Sequence, residues 1–280
     1  MSNTLSKTIK GYDLTSLYNF IDSATALPSK QILKVVFQYT GIDALFNGII
    51  RKNSKGETEI CLRGTNCRYL NDPGEIAYGD GVINNVLLPH MGLSNLDISN
   101  MLPLDDIYIT SFTSLINSLL MWNMYGRNGT GVALGFDIDA IQSAGGVLYR
   151  CPYDDLEFRA NLHKTMGDGI QNKNFPKTIE VDTFMEYMMK IQMLLKNQTY
   201  KQEEEYRLIK QTQEKPKYRL SGSILIPFVE NCFPKDALKV IYVGPCNNIE
   251  LTGFALKRWL KDNDMEHVQI ILSTLPYRII

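Results

Sequence analysis

The chain is poor in the features that announce a function class. It has no run of about eighteen uninterrupted apolar residues, the length a membrane-spanning helix needs, and Met1 to Lys10 holds no apolar core of a signal peptide. The expectation is a soluble cytoplasmic protein with no membrane partner. Histidine is scarce, three in 280 residues and far apart, and the five cysteines (Cys61, Cys67, Cys151, Cys232 and Cys246) form no CxxC pair. No zinc spacing can be assembled from either set. The odd cysteine count fits a reducing compartment better than a disulfide framework. There is no Walker loop, dinucleotide fingerprint or GxSxG elbow, and the Gly79-Asp-Gly81 and Gly167-Asp-Gly169 turns fit neither phosphate-binding pattern. Charge of one sign is lacking too: a formal net charge of −1 gives no general attraction to nucleic acid, although Lys196 to Arg219 is locally basic.

What is present is ample apolar content, 44% of residues, which supports a real core and excludes disordered and fibrous classes. Residues 1–30 hold one modest helical pattern, Leu14, Leu17, Tyr18 and Ile21, before Pro28, and read as a packing appendage. Residues 31–280 read as a single α+β domain. Its centre is Asp106 to Asp137: alternation over Ile107 to Phe112 predicts a strand, Leu115, Leu119 and Trp122 recur at helical spacing, and Val132, Leu134 and Phe136 share a face of a second strand. Further strands are predicted over Gln31–Thr40, Glu59–Leu62, Val147–Tyr153, Tyr200–Lys210, Ile224–Val229, Ala237–Val243 and His267–Leu275. Helices are predicted over Gly41–Ile50, with Ile42, Leu45, Phe46 and Ile49 inward, over Phe184–Leu195, and over Ile249–Lys261. Asn84–Leu104 reads as loop or broken helix, and Asn161–Val181 as a polar insertion. No regular βαβ rhythm appears, which favours α+β over a doubly wound fold.

Chemistry is suggested by polar residues at strand ends. Ser111 and Thr113 lie on one side of an otherwise apolar strand, and Gln38 and Thr40 end another. Their hydroxyls either line a cleft or satisfy local backbone groups. Glu203, Glu204 and Glu205 enter a strand beside Tyr206 and Arg207; three glutamates are commonly a solvated face, but a guanidinium could hold one carboxylate in a bidentate pair. A carboxylate so fixed can stabilise an oxocarbenium-like centre or accept from a ribose hydroxyl. Asn71-Asp-Pro-Gly-Glu75 reads either as a turn with Glu75 as the helix-capping acid or as part of a site. Trp122 is expected in the core and Tyr125 at its edge.

Asn71-Asp-Pro-Gly-Glu75, Ser111-Phe-Thr113, Met121-Trp-Asn-Met-Tyr-Gly126, Gly131-Val-Ala-Leu-Gly-Phe136, Glu203-Glu-Glu-Tyr-Arg-Leu-Ile209 and Pro276-Tyr-Arg278 occur in this order. Together they resemble the bacterial domain of unknown function twenty-nine seventy-one family, from Ile32 to Arg278. A looser resemblance is to the ADP-ribosyltransferase superfamily, through Gln38-Tyr39-Thr40, Ser111-Phe112-Thr113 and Glu203-Glu204-Glu205. Two departures stand out: Gln38 replaces the usual His or Arg, and Phe112 the middle hydroxyl of a Ser-Thr-Ser strand.

That second resemblance implies a split β-sandwich of two small sheets with flanking helices, with NAD as substrate in the cleft between them. Gln38 and Thr40 would meet nicotinamide or its ribose, Ser111 would hold the first motif together, and Tyr39 or Tyr125 would stack on the ring. Thr113 and Arg207 complete the set, and Arg63 or Arg68 would meet the pyrophosphate. Glu205 would hydrogen-bond the ribose as the nicotinamide bond lengthens, and Glu203 would orient an acceptor that is protein, nucleic acid or water. It also implies an intracellular toxin or phage-defence effector. Two rivals stay open: a carboxylate-dependent nuclease or hydrolase using Asp72, Glu75, Glu203 and Glu205 with Mg²⁺, and a non-catalytic ligand sensor or partner-binding module in which the Glu-rich strand and Arg207 form a structural ion-pair network.

Overall fold

A computed structural model of the chain describes residues 14–29, 32–72, 74–91, 93–94, 98, 101–143, 146–170, 181–245 and 248–276. The chain opens with helix α1 (Thr15–Thr25) and strand β1 (Val35–Thr40), whose Val-Val-Phe-Gln-Tyr-Thr sequence suits a pleated, half-buried surface. A one-turn helix at Leu45–Ile49 leads to β2 (Ile50–Lys52) and β3 (Thr58–Asn66), then to helix α2 (Glu75–Val82). Helical turns at Ile83–Leu87 and Leu88–His90 follow. The central stretch forms β4 (Ile107–Thr113), α3 (Leu119–Met124) and β5 (Val132–Asp137), the strand, helix, strand order that its spacing predicts. Next come α4 (Ile138–Ser143), β6 (Leu148–Arg150), β7 (Tyr153–Asp154), α5 (Leu156–Ile170), α6 (Val181–Leu194) and β8 (Lys196–Asn197). The chain ends with β9 (Glu205–Gln211), β10 (Lys217–Ser221), β11 (Ile224–Pro234), β12 (Leu238–Val243), α7 (Ile249–Asp262) and β13 (Gln269–Leu272).

The protein is α+β. Among the described residues, β7 and β8 form a two-stranded sheet and the rest one eleven-stranded sheet, whose spine runs β10-β11-β3-β4-β1-β5-β12-β13. Only the β12–β13 pair in this sheet is parallel. The decisive feature is the way β4 is shared. One edge pairs with β9 along its whole length, from Ile107 opposite Gln211 to Thr113 opposite Glu205. The other edge meets β3 at Tyr108 and Ile109 and β1 only at Thr113. Between those contacts β1 and β3 diverge, so Thr110, Ser111 and Phe112 have no ladder partner on that edge, and a cleft opens there.

Apolar side chains pack on both sides of the sheet. One cluster joins α1, α2, α5 and α6 to Ile107 and Ile109 of β4. A second packs α4 and α7 against Leu134, Phe136 and Ile241, and a third sets fully buried Trp122 against Tyr39, Ala133 and Val240. Trp122 is therefore core, as its spacing predicts. In the N-terminal segment, where it is described, Leu14, Leu17 and Ile21 pack into the first cluster. Several expectations are corrected. Phe46 is exposed rather than inward and rests edge-on against Trp259. The polar segment after Asn161 is α5 up to Ile170, with Leu162 and Met166 buried, because two apolar positions a turn apart suffice to seat a helix whose other faces are wet. Residues 171–180, Cys246, Tyr277 and Arg278 lie outside the described residues. The cysteines do make a pair: Cys61 of β3 stands opposite Cys232 of β11, 4.0 Å apart at Cα, and the two are disulfide-bonded. Strand register brings together two residues 171 apart in sequence, which spacing cannot foresee.

Helix α2 is held close to α6, and Gly79 is the point of closest approach. A Cβ there would stand 2.6 Å from Gln192 Cα. Gly79→Ala should therefore destabilise the protein by roughly 1–3 kcal/mol through overpacking. Gly81→Ala, two residues on, meets only Asn85 Nδ2 at 3.9 Å and should be neutral or slightly stabilising. Denaturant midpoints of the two variants check this; equal midpoints would refute the close packing.

Candidate functional site in the split of the sheet

The cleft has a volume of about 1080 Å³ and is lined from β1, β3, β4, β9, β10 and β11, with Tyr125 after α3 and Glu75 at the start of α2. That is slightly above the usual range for small-molecule sites, roughly 300–1,000 Å³. Register explains why these residues share one wall. Ser111 stands opposite Arg207 and Thr113 opposite Glu205, so alternate residues of two neighbouring strands face the same side. Gln38 Nε2 donates to the Ser111 carbonyl at 3.3 Å, bridging β1 and β4 just where the ladder between them is absent.

At the cleft floor lies a buried charge network. The Lys196 ammonium contacts Glu205 Oε2 at 2.5 Å, Glu203 Oε2 at 2.7 Å and Glu75 Oε1 at 3.1 Å. Arg207 donates from Nε to Glu205 Oε1 at 2.8 Å and from Nη2 to Glu205 Oε2 at 3.1 Å and Glu75 Oε1 at 2.5 Å; its Nη1 donates to the Met193 carbonyl at 2.6 Å. All five side chains belong to residues only 3–7% exposed. Three carboxylates against two cations leave one formal negative charge in excess. Tyr125 Oη donates to Glu203 Oε1 at 2.8 Å, and Thr113 Oγ1 donates to the Glu203 carbonyl at 2.6 Å.

These contacts set the protonation states. Burial by itself would raise the Glu205 carboxyl, but the charges of Arg207 and Lys196 outweigh it and hold the group down at about 2. Burial would likewise depress the Lys196 ammonium, yet the Glu205 carboxylate turns the net shift upward. Tyr125 is pushed up by burial and by Glu203. Near neutral pH Glu205 is therefore a fixed carboxylate held between two fixed cations. Glu205 is no proton donor in this range.

The sequence-predicted residues divide plainly. Gln38, Thr40, Arg63, Ser111, Thr113, Tyr125, Glu203, Glu205 and Arg207 all line the cleft. Arg68 does not: it is exposed and bonded to Asp105 at 2.9 Å, beyond the end of β3. Tyr39 borders the cleft, but its ring packs edge-on against Trp122, and its hydroxyl donates to the Leu115 carbonyl and accepts from Ser118 N. It is not free to stack on a ligand. Glu203 ends a 3₁₀ turn rather than standing in the strand, with Glu204 in the left-handed region at φ 44° redirecting the chain. Strand β3 runs on to Asn66, past the Glu59–Leu62 strand that the sequence predicts. Glu75 is not a capping acid, since its carboxylate goes to Lys196 and Arg207.

Sequence reasoning missed Lys196 and Arg219. Lys196 follows the apolar stripe of α6 and carries no local sign of burial; only the return of β9 beside it brings the carboxylates. Lys196 also bears on metal binding, because its ammonium occupies the point on which Glu75, Glu203 and Glu205 converge. Among the described residues the one cluster with metal-ligand spacing is Glu59, Cys61 and Cys232, whose sulfurs are bonded to each other. A cysteine nucleophile fares no better: Cys67 and Cys151 are buried, and burial pushes the Cys67 thiol up to about 11.

Residues 121–208 match the family model described as a protein of unknown function (DUF2971). The match runs from α3 into β9 and contains Tyr125, Lys196, Glu203, Glu205 and Arg207. No curated protein and no solved structure matches the chain, and none of these comparisons supports the likeness to ADP-ribosyltransferases. Among the described residues no helix is long and apolar enough to cross a membrane.

The low Glu205 value has a stability consequence of definite sign. The folded-state value of about 2 lies below the ordinary 4.5, so the network's contribution is complete above about pH 4.5 and is lost as pH falls through about 2. Glu205→Gln should lower stability on the order of 3 kcal/mol near neutral pH, and the gap to wild type should narrow between those two pH values. Denaturant unfolding at several pH values measures it. A gap independent of pH would mean that Glu205 is not held ionised.

Proposed function

We propose that the chain is an NAD-consuming enzyme, an ADP-ribosyltransferase or NAD glycohydrolase, acting in the split of the sheet. The observation that carries this is Glu205, a carboxylate held ionised by Arg207 and Lys196 on the same cleft as Gln38, Thr40, Ser111 and Tyr125. Cleavage of the nicotinamide–ribose bond asks for such a group. The C1′–N bond breaks with its electron pair going to the pyridinium nitrogen, so nicotinamide leaves neutral and requires no proton donor. Positive charge then develops on the ribose ring, where a fixed anion stabilises it. Water or an acceptor group adds at C1′ and releases its proton to solvent. A glycosidase that must protonate its leaving oxygen would need a carboxyl raised, not lowered.

Tyr125 and Lys196 fix the Glu203 carboxylate beside Glu205, in position to orient the attacking group. The divergence of β1 and β3 from β4 supports a split-sheet arrangement of the ADP-ribosyltransferase kind within the larger sheet. A toxin or phage-defence role accords with an NAD-depleting activity. The Mg²⁺-dependent hydrolase is the weaker reading, because Lys196 fills the centre of the acidic cluster.

Purified protein incubated with NAD, alone and with cell lysate as a source of acceptors, should release nicotinamide. Glu205→Gln should reduce kcat by roughly a hundredfold or more, while Glu204→Gln, an exposed residue bonded to Ser114, should leave it unchanged. Equal release by wild type and Glu205→Gln, with both folded, would remove Glu205 from the chemistry. Thermal stabilisation by NAD without turnover would make the protein a ligand sensor.

A further inference from the structure

Strands β3 and β11 pair over seven residues, from Glu59 opposite Pro234 to Thr65 opposite Phe228, and Cys61 and Cys232 stand face to face inside that ladder. Backbone hydrogen bonds on either side hold the two strands together whether or not the sulfurs are joined. The bond between the sulfurs can therefore open without separating the strands.

The two halves of the disulfide differ in access. Cys232 is exposed, whereas Cys61 is 3% exposed and sits in the cleft wall two residues from Arg63. Their polar neighbours differ as well. Arg51 of β2 brings Nη2 to 3.4 Å from Cys232 Sγ, and Glu59 Oε1 lies 3.4 Å from Cys61 Sγ. Arg51 is itself anchored, at 3.0 Å to Glu59 and 2.8 Å to Glu230. A disulfide sulfur has no hydrogen to give, so the Glu59 contact becomes a hydrogen bond only when Cys61 is a thiol. A guanidinium beside a sulfur favours the anionic thiolate over the thiol. Each half of the bond thus has a partner suited to its reduced form: an acceptor for the Cys61 thiol and a cation for the Cys232 thiolate. A purely structural disulfide needs neither.

We infer that Cys61 and Cys232 form a reversible thiol–disulfide exchange site for low-molecular-weight thiols, with Cys232 the sulfur that is attacked. A thiolate from solution adds to Cys232 Sγ and the protein's S–S bond breaks. Its electron pair goes to Cys61, which takes up a proton from solvent and donates a hydrogen bond to Glu59. A second thiolate attacks the outer sulfur of the mixed disulfide and releases the Cys232 thiolate beside Arg51. In total two small thiols are oxidised to one small disulfide, and the protein disulfide is reduced to a dithiol. Cys67 and Cys151 are buried and take no part. The site is independent of the NAD reading, since nothing in it depends on what the cleft binds.

The test equilibrates the full chain with glutathione at graded ratios of its thiol to its disulfide, then alkylates it and maps the peptides by mass, with circular dichroism following the fold. The pair should pass reversibly between disulfide and dithiol in the folded protein, and glutathione adducts should sit on Cys232. Cys61→Ser should leave Cys232 open to adduct formation and to iodoacetamide. Cys232→Ser should leave Cys61 alkylated roughly tenfold or more slowly. In the Cys61→Ser background, Arg51→Ala should slow alkylation of Cys232 at pH 7 by roughly threefold or more, and Arg51→Lys should slow it less. Reduction only after denaturation would make the bond structural and overturn the proposal. So would adducts on Cys61 instead of Cys232, or two thiols that never join under oxidised glutathione. An alkylation rate indifferent to Arg51→Ala would overturn the part assigned to Arg51.

Discussion

Everything in the cleft depends on one buried lysine. Lys196 brings three carboxylates within 3.1 Å of a single nitrogen, and without that charge Glu75, Glu203 and Glu205 would repel one another in a poorly solvated place. Arg207 completes the arrangement by gripping Glu205 with two of its nitrogens. Such a cluster is expensive to desolvate and gives little net stability compared with an apolar core. Its effect here is positional: it holds a carboxylate ionised and aimed at a fixed point while the surrounding groups satisfy the lone pairs.

The second constraint is geometric. A strand has two edges, and β4 gives one of them wholly to β9 while dividing the other between β3 and β1. Two strands that leave the same edge in different directions cannot both stay paired along it. The gap between them becomes a hollow whose walls are strand faces rather than loops. Side chains on strands are held by ladder hydrogen bonds and packing, so Ser111, Thr113, Glu205 and Arg207 are presented rigidly. The floor of the hollow carries the network of Glu75, Glu203, Glu205, Lys196 and Arg207, and Arg63, Arg219 and Glu230 line it from β3, β10 and β11.

Much of this was readable from residue patterns. Period-two alternation located β4 and β5, and the apolar stripe of Phe184, Met188 and Ile191 located α6, because burial of one face imposes those periods on sequence. The polar strand ends drew attention to Gln38, Thr40, Ser111 and Thr113 for a sound reason, since hydroxyls and amides in an apolar strand need partners. The expectation broke down where a residue's role depends on what faces it. Arg68 and Arg63 are equivalent in sequence terms, yet one lies past the end of β3 beside Asp105 and the other lies in the strand over Phe228. Tyr39 and Tyr125 looked alike as stacking candidates until Trp122 closed over the first.

By itself the sequence determined the α+β class, most of the elements and the burial of Trp122, and it offered a pairing of one glutamate with Arg207 without choosing which. These follow from local periodicity and from residues two apart on one strand. Only the tertiary structure decided that Lys196 sits among three glutamates, that Cys61 meets Cys232, and that Arg63 stands opposite Glu230. Each of those neighbours is fixed by strand register or helix packing across tens to hundreds of residues, and a one-dimensional pattern carries no record of which distant strand will lie alongside.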